Sequence, residues 1–181
     1  MTKVKRYLSP FAIGITAIVF VVALLFATGV NSAIQATNKE EFCISCHEMR
    51  DNSFKEYEGT EHDVNVSGVR ATCADCHVPK EFFPKIARKI FAVKDVYHWM
   101  LGTVDTPEKF EERRLHMAET VWKMMKETDS RECRSCHEFS AMALDVQDKS
   151  ARRKHQRAIK NGETCIDCHK GVAHSLPREN I

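Results

Sequence analysis

Hydrophobic and polar positions divide this chain into two unequal parts. From Phe11 to Val30 the sequence reads FAIGITAIVFVVALLFATGV, 20 residues without a charge, and at 1.5 Å per residue such a helix spans about 30 Å, the thickness of a bilayer's hydrocarbon core. Lys3, Lys5 and Arg6 precede it, so the bias of basic residues toward the inner side places residues 1–10 in the cytoplasm and everything after about 31 outside. A cleaved signal peptide would have an apolar stretch of roughly 7 to 15 residues and a small-x-small site. Only Ala27-Thr28-Gly29 resembles one, and weakly. The segment 11–30 therefore reads as a single retained transmembrane anchor.

Beyond the anchor the pattern is helical and loop-rich, with no strand-like alternation. Ile86, Ile90, Tyr97 and Leu101 recur at helical spacings, with Phe82, Phe83, Phe91 and Trp99 close by and Lys85, Arg88, Lys89 and Lys94 on other faces. That predicts an amphipathic helix over 86–101, rich in aromatic and basic residues and suited to a membrane surface. Asp105 and Glu108 form a D-x-x-E capping pattern around Pro107, which starts a second helix running to about Glu127. The expected fold is mainly α with extensive loops, carrying one transmembrane helix at its amino-terminal end.

Composition adds little until the cysteines are counted. An apolar content of 43% is ordinary, and 27 basic against 25 acidic side chains give a formal charge of +2. No basic block or aromatic-interleaved stripe points to nucleic acid. The eight cysteines, however, fall into four C-x-x-C pairs: Cys43 and Cys46, Cys73 and Cys76, Cys133 and Cys136, Cys165 and Cys168. A histidine follows each pair directly, at His47, His77, His137 and His169.

C-x-x-C-H is the pattern of covalent haem attachment: two thioethers reach the two vinyl groups of one porphyrin, and the adjacent imidazole turns beneath its iron. Zinc sites do not require a histidine after every pair, and a disulfide framework does not pair its cysteines this way. The motifs thus predict four haem c groups. Haem is joined to such motifs on the outer side of the bacterial inner membrane, in agreement with the predicted topology. Residues 31–181 then form a periplasmic cytochrome c domain organised by its haems, and the helix at 86–101 could equally pack on one of them.

That domain shows an internal duplication. Cys43 and Cys73 are 30 residues apart, Cys133 and Cys165 are 32 apart, and corresponding motifs are separated by 90 and 92. The halves run over about 40–100 and 130–175. Each has a lone histidine ahead of its second motif, His62 before Cys73 and His155 before Cys165, which argues for shared roles.

The anchor, the runs EFCISCHEMRDNSFKEYEGTEH and ATCADCHVPKEFFPKIARKIFAVKDVY, the helix DTPEKFEERRLHMAETVWKMM, and the endings DSRECRSCH and TCIDCHKGVAH resemble the NapC/NirT family of membrane-anchored tetrahaem quinol dehydrogenases, most closely its NapC branch. The resemblance implies that the protein takes electrons from a membrane quinol, menaquinol or ubiquinol, and passes them to a periplasmic reductase or its haem-containing subunit. Nitrate reductase is the partner implied first, and nitrite reductase an alternative. On this reading the chain is an electron-transfer subunit rather than a stand-alone terminal reductase. The competing class is a reductase in its own right, acting on a small molecule at an open haem. Association with the lipid bilayer is implied, and self-association into a homo-oligomer stays open.

The resemblance also distributes roles. Lys89 and Asp95 match positions that line the quinol pocket near the first haem, although six helical residues turn through about 240° and set the two on different faces. Arg88 and Asp95, seven apart, align better and suit an ion pair. His62, His155 and His174 match second axial ligands to iron, opposite the motif histidines. Met49, two residues past His47, matches a methionine that ligates the first haem in relatives, with His47 its competitor. His98 and His116 read as surface or packing residues, and Lys80 as basic surface.

Overall fold

The computed structural model describes residues 9–178. Lys3, Lys5 and Arg6, on which the expected orientation rests, lie outside the described residues. The chain divides into two compact units, one up to Lys39 and the other from Glu40 onward. Among the described residues every regular element is helical and none is a strand.

The first unit is built on α1, Pro10–Ala36, 27 residues with Ser9 as N-cap and Pro10 opening the helix. Its large side chains, among them Phe11, Phe20, Leu25 and Phe26, are exposed on all sides, as a helix surrounded by lipid requires. Its polar side chains look after themselves: the Thr16 hydroxyl donates to the Ala12 carbonyl at 2.9 Å, and the Thr28 hydroxyl donates to the Leu24 or Leu25 carbonyl. α1 overruns the expected 11–30 at its far end, because Asn31 to Ala36 are compatible with helix although too polar to extend the apolar run.

The second unit has short helices at the motifs and three long ones. α2 (Glu40–Cys43) enters motif one; a π-helical turn over Met49–Phe54 leads into α3 (Lys55–Tyr57); and α4 (Cys73–His77) carries motif two. α5 (Phe82–Met100) and α6 (Pro107–Glu127) follow. α7 (Arg131–Arg134) enters motif three, a 3-10 turn spans Phe139–Ala141, α8 covers Lys149–Asn161, and α9 (Cys165–Cys168) holds motif four. α2 packs on α4, α4 on α7, and α6 on α9.

α5 begins at Phe82, four residues ahead of the expected 86–101, and α6 spans Pro107–Glu127 as expected from its start signals, but α6 is capped differently from expectation. Pro107 occupies the first helical position, which makes Thr106 the N-cap, its hydroxyl accepting from the Lys109 amide at 3.4 Å. Asp105 instead pairs with Lys109 Nζ at 2.7 Å. α8 was not anticipated. Its sequence KSARRKHQRAIKN offers only Ala151, Ala158 and Ile159 as apolar positions, and its limits come from the Asp148 N-cap and from Gly162 at φ 66°.

Among the described residues, Tyr57, Phe110 and Ile166 are the buried hydrophobic side chains. Three such side chains are far too few to stabilise a unit of this length by packing against one another. Polar ties therefore carry much of the architecture, and apolar cofactor surface would complete it.

Candidate functional site

The motifs are set up in two alternating styles. In motifs two and four an aspartate inside the C-x-D-C run closes a capping box: Asp75 Oδ2 accepts from the Thr72 amide at 2.9 Å, and Asp167 Oδ2 from the Thr164 amide at 3.0 Å. The threonine hydroxyls donate to the same carboxylates. In motifs one and three a serine takes that place, and the Ser45 and Ser135 hydroxyls each donate to the carbonyl three residues back at 2.7 Å. The duplication is thus visible in local hydrogen bonding, and these four residues were not singled out by sequence reasoning. None of the eight cysteines is in a disulfide.

Three of the five histidines outside the motifs face a motif histidine. His62 and His137 have ring centroids 6.1 Å apart, His77 and His174 6.2 Å, and His155 and His169 5.9 Å. Two imidazoles bonded to opposite sides of one metal at about 2 Å each would have centroids roughly 6 Å apart. The residues present therefore fit a haem iron between each pair. His62 and His155, equivalent in the duplicated sequence, do not face equivalent partners: His155 faces the motif just after it, whereas His62 passes over motif two to face motif three. His98 lies 3.3 Å from the Thr103 hydroxyl, and His116 is exposed.

Each facing histidine is held by its surroundings. The Tyr57 hydroxyl reaches the Ala71 carbonyl at 2.5 Å and the His62 carbonyl at 3.0 Å, and the Ala71 amide donates to His62 at 2.9 Å, so a buried tyrosine ties down the His62 loop. Arg70 covers the Tyr57 ring and bonds Asp63 and Glu40 at 2.6 and 2.9 Å. His174 Nδ1 lies 3.1 Å from the Ser53 carbonyl in the π-helical turn. The next amide, Ser175, donates to Glu56 at 3.1 Å, and Glu56 is bound by Arg114 of α6 at 2.8 Å. His155 lies 2.7 Å from the Gln147 side chain. Burial pushes His77 down to about 4, with the facing His174 adding to it, and burial likewise lowers His174. Both are thereby kept in the neutral form that can ligate a metal.

Neighbouring motifs touch in chain order. The Cys43 thiol is brought down to about 7 chiefly by a hydrogen bond from Cys73, with Lys89 assisting. Cys133 is pushed up to about 11 by burial, then by Cys165 and Cys76 beside it. Ser130, fully buried at φ 49°, accepts from the Ile166 amide at 3.1 Å and fixes the start of motif three to motif four. Its left-handed backbone, shared with Asp129, is a strained turn for residues with a Cβ.

Motif one differs from the rest. His47 Nε2 lies 3.2 Å from the Glu48 carboxylate, which is buried, while Met49 opens the π-helical turn and is 44% exposed. Lys89 on α5 is close enough to Cys43 to affect its thiol, and burial lowers the Lys89 ammonium. Asp95 is 67% exposed along its side chain and lies 3.7 Å from Arg88. The structure therefore pairs Arg88 with Asp95 and sets the charge of Lys89 within reach of motif one. Around them Phe82, Phe83, Ile90, Phe91, Val93 and Trp99 stand exposed. Lys80 is exposed at the surface.

A profile of the NapC/NirT cytochrome c family, N-terminal region, matches residues 6–179. A putative tetraheme cytochrome-c type protein of Allochromatium vinosum is 53% identical over 98% of this chain and 94% of its own length. The cytochrome c-type protein NapC of Escherichia coli K12 is 52% identical over 87% of this chain and 79% of its own. The denitrification system component NirT of Stutzerimonas stutzeri is 48% identical over 98% and 89%. No solved structure matches the chain. With four C-x-x-C-H motifs, three opposed histidine pairs and a family match along nearly its whole length, the chain belongs to the NapC/NirT cytochrome c family and is a carrier of haem c.

Proposed function

We propose that the protein is a single-pass, membrane-anchored tetrahaem cytochrome c that oxidises quinol in the bilayer and delivers the electrons to a periplasmic terminal reductase, with nitrate reductase the first candidate. The number four is supported by the four attachment motifs and by the word tetraheme in the name of the A. vinosum relative. An apolar helix long enough to cross a bilayer supports the anchor. Its orientation, with residues 1–10 cytoplasmic, rests on the basic residues before it.

The observation that carries the reading is the placement of Lys89. α5 exposes a lipid-compatible set of aromatic and aliphatic side chains and on the same helix carries the half-buried Lys89, whose charge reaches Cys43 of motif one. Oxidising a quinol releases two electrons and two protons, so an entry site needs lipid access, a nearby electron acceptor and groups that handle protons. Lys89 donates a hydrogen bond to a quinol oxygen and steadies negative charge there as the proton departs. Asp95, at the exposed side of α5, receives protons and passes them to water.

Haem c, bound through each cysteine pair, supplies the one-electron chemistry. The cysteines would hold it, with His77, His137 and His169 as iron ligands paired with His174, His62 and His155 respectively. Met49 would be the ligand at motif one, with His47 the alternative. Contacts of motif one with two, two with three and three with four support an electron path that follows motif order. A reductase acting at an open haem is the second reading, favoured only by motif one, which lacks a facing histidine among the described residues.

The test is to place the holoprotein in liposomes and record its visible spectrum while a reduced quinol analogue is added, comparing wild type with Asp95→Asn and Lys89→Ala. Fast haem reduction in wild type and slow reduction in the variants is the expected result. If quinol reduces none of the haems while dithionite reduces all of them, the reading fails, and nitrite or hydroxylamine become the substrates to try. If wild type and both variants respond alike, quinol oxidation stands and the pocket lies elsewhere.

A further inference from the structure

α8 has two chemically distinct sides. His155, with Ala151 and Ala158, occupies the inner side and faces His169 of motif four. At 100° per residue, Lys149, Arg153, Arg157 and Lys160 fall within one arc of about 80° on the opposite side, and all four are exposed. Arg157 lies 3.7 Å from Glu163, whereas Lys149, Arg153 and Lys160 make no ion pair among the described residues. Their charge faces an approaching molecule.

We propose that the basic outer stripe of α8 is the docking surface for the protein's electron acceptor, a soluble redox protein with an acidic face, and that electrons leave at motif four. The inference rests on the quinol-to-acceptor reading and adds the exit to it. A helix is about 10–12 Å across, and His155 on its inner side faces His169 at 5.9 Å, so a partner attracted to the stripe is brought beside motif four. Unlike charges that line such a surface raise encounter rates about 10- to 1000-fold and lose their effect as salt screens them. A lipid headgroup is the less suitable occupant. Ile159 is the large hydrophobic side chain that α8 exposes, whereas α5 exposes a whole aromatic face, and interfacial helices need apolar groups to insert. The transfer itself is one electron: a ferrous haem becomes ferric as the acceptor's metal is reduced, with no proton or bond exchanged.

The test uses the full-length holoprotein in neutral phosphatidylcholine nanodiscs, its haems reduced with dithionite and the excess removed. It is mixed in a stopped-flow instrument with an oxidised acidic blue-copper protein, whose colour bleaches on reduction. The same copper protein with its carboxylates amidated serves as a cationic probe. For Lys149→Glu/Arg153→Glu/Lys160→Glu, bleaching of the acidic probe at low salt is expected to slow about tenfold or more and that of the cationic probe to quicken. At high salt the variant and wild type should converge. The control Lys55→Glu/Lys94→Glu/Arg113→Glu makes the same change in net charge elsewhere and should have little effect.

The proposal is overturned if the α8 variant matches wild type at low salt, if it slows both probes alike, or if the control slows the acidic probe equally. It is also overturned if the effect appears only in nanodiscs containing phosphatidylglycerol, which would make the stripe a lipid contact. Because the haems are reduced chemically, failure of quinol oxidation leaves this result intact, and loss of docking leaves the quinol assay intact.

Discussion

Arg88 and Asp95 meet at 3.7 Å on α5, two turns apart, while the charge of Lys89 reaches Cys43 of motif one. Adjacent residues on one helix thus have different partners, as 100° of rotation per residue requires. At 3.7 Å, with Asp95 exposed and Arg88 half-buried, this ion pair is loose and solvated on one side, so Arg88→Gln should leave quinol oxidation within about twofold of wild type. Lys89→Ala should lower it by about tenfold or more if the ammonium assists proton departure. Steady-state rates with a quinol analogue, at matched haem content, separate the two.

The opposed histidines lead to a spectroscopic prediction. His62→Ala, His155→Ala and His174→Ala should each convert one low-spin haem to a high-spin form, and do so at motifs three, four and two respectively. Magnetic circular dichroism counts the spin states, and combining each change with Ala at a motif histidine identifies the site. His98→Ala and His116→Ala should leave all the haems low- or high-spin as before.

Two polar ties should matter to folding more than their exposure suggests. Arg114 and Glu56 are 11% and 20% exposed along their side chains, and removing one member of a mostly buried pair strands the other. Arg114→Met should cost about 2 kcal/mol and loosen the segment carrying His174. Ser130→Ala deprives the buried Ile166 amide of its acceptor and should cost about 1–3 kcal/mol. Thermal unfolding of the holoprotein, followed by circular dichroism, checks both.

Asp167 is held down from its ordinary value to about 2 by Lys126 first and by the Thr164 amide next. Because the folded group binds its proton less readily than the unfolded one, its stabilising effect is present above about pH 4 and is lost as the pH falls toward 2. Asp167→Asn should therefore melt below wild type at neutral pH, and the difference should shrink over that acidic interval. Melting curves at several pH values provide the comparison.

Much of this was legible in the sequence because it was repetitive or extreme. The apolar run at 11–30, the C-x-x-C-H motifs, the periodic segment at 86–101 and the start signals around Pro107 each announce one solution. The separation of Lys89 from Asp95 also followed from helical geometry alone. What escaped was long-range or polar. Nothing in the spacing of His62 says that it passes motif two to face His137, since its apparent counterpart His155 stays with its own motif. Glu56, Arg114, Tyr57 and Ser130 look like ordinary surface or filler residues until chain segments far apart are brought together. α8 was hidden because a helix that shows solvent an almost wholly basic side has too few apolar positions for a period to be seen.

The crossing of His174 back to His77 has a consequence for how the protein is made. A chain leaving the ribosome presents motif two long before the segment that faces it, so that site stays half-built until synthesis is nearly finished. Closure runs against the direction of synthesis. A protein cut between His169 and His174 would keep every attachment motif, yet its injury would surface far upstream, at a site whose own sequence is untouched.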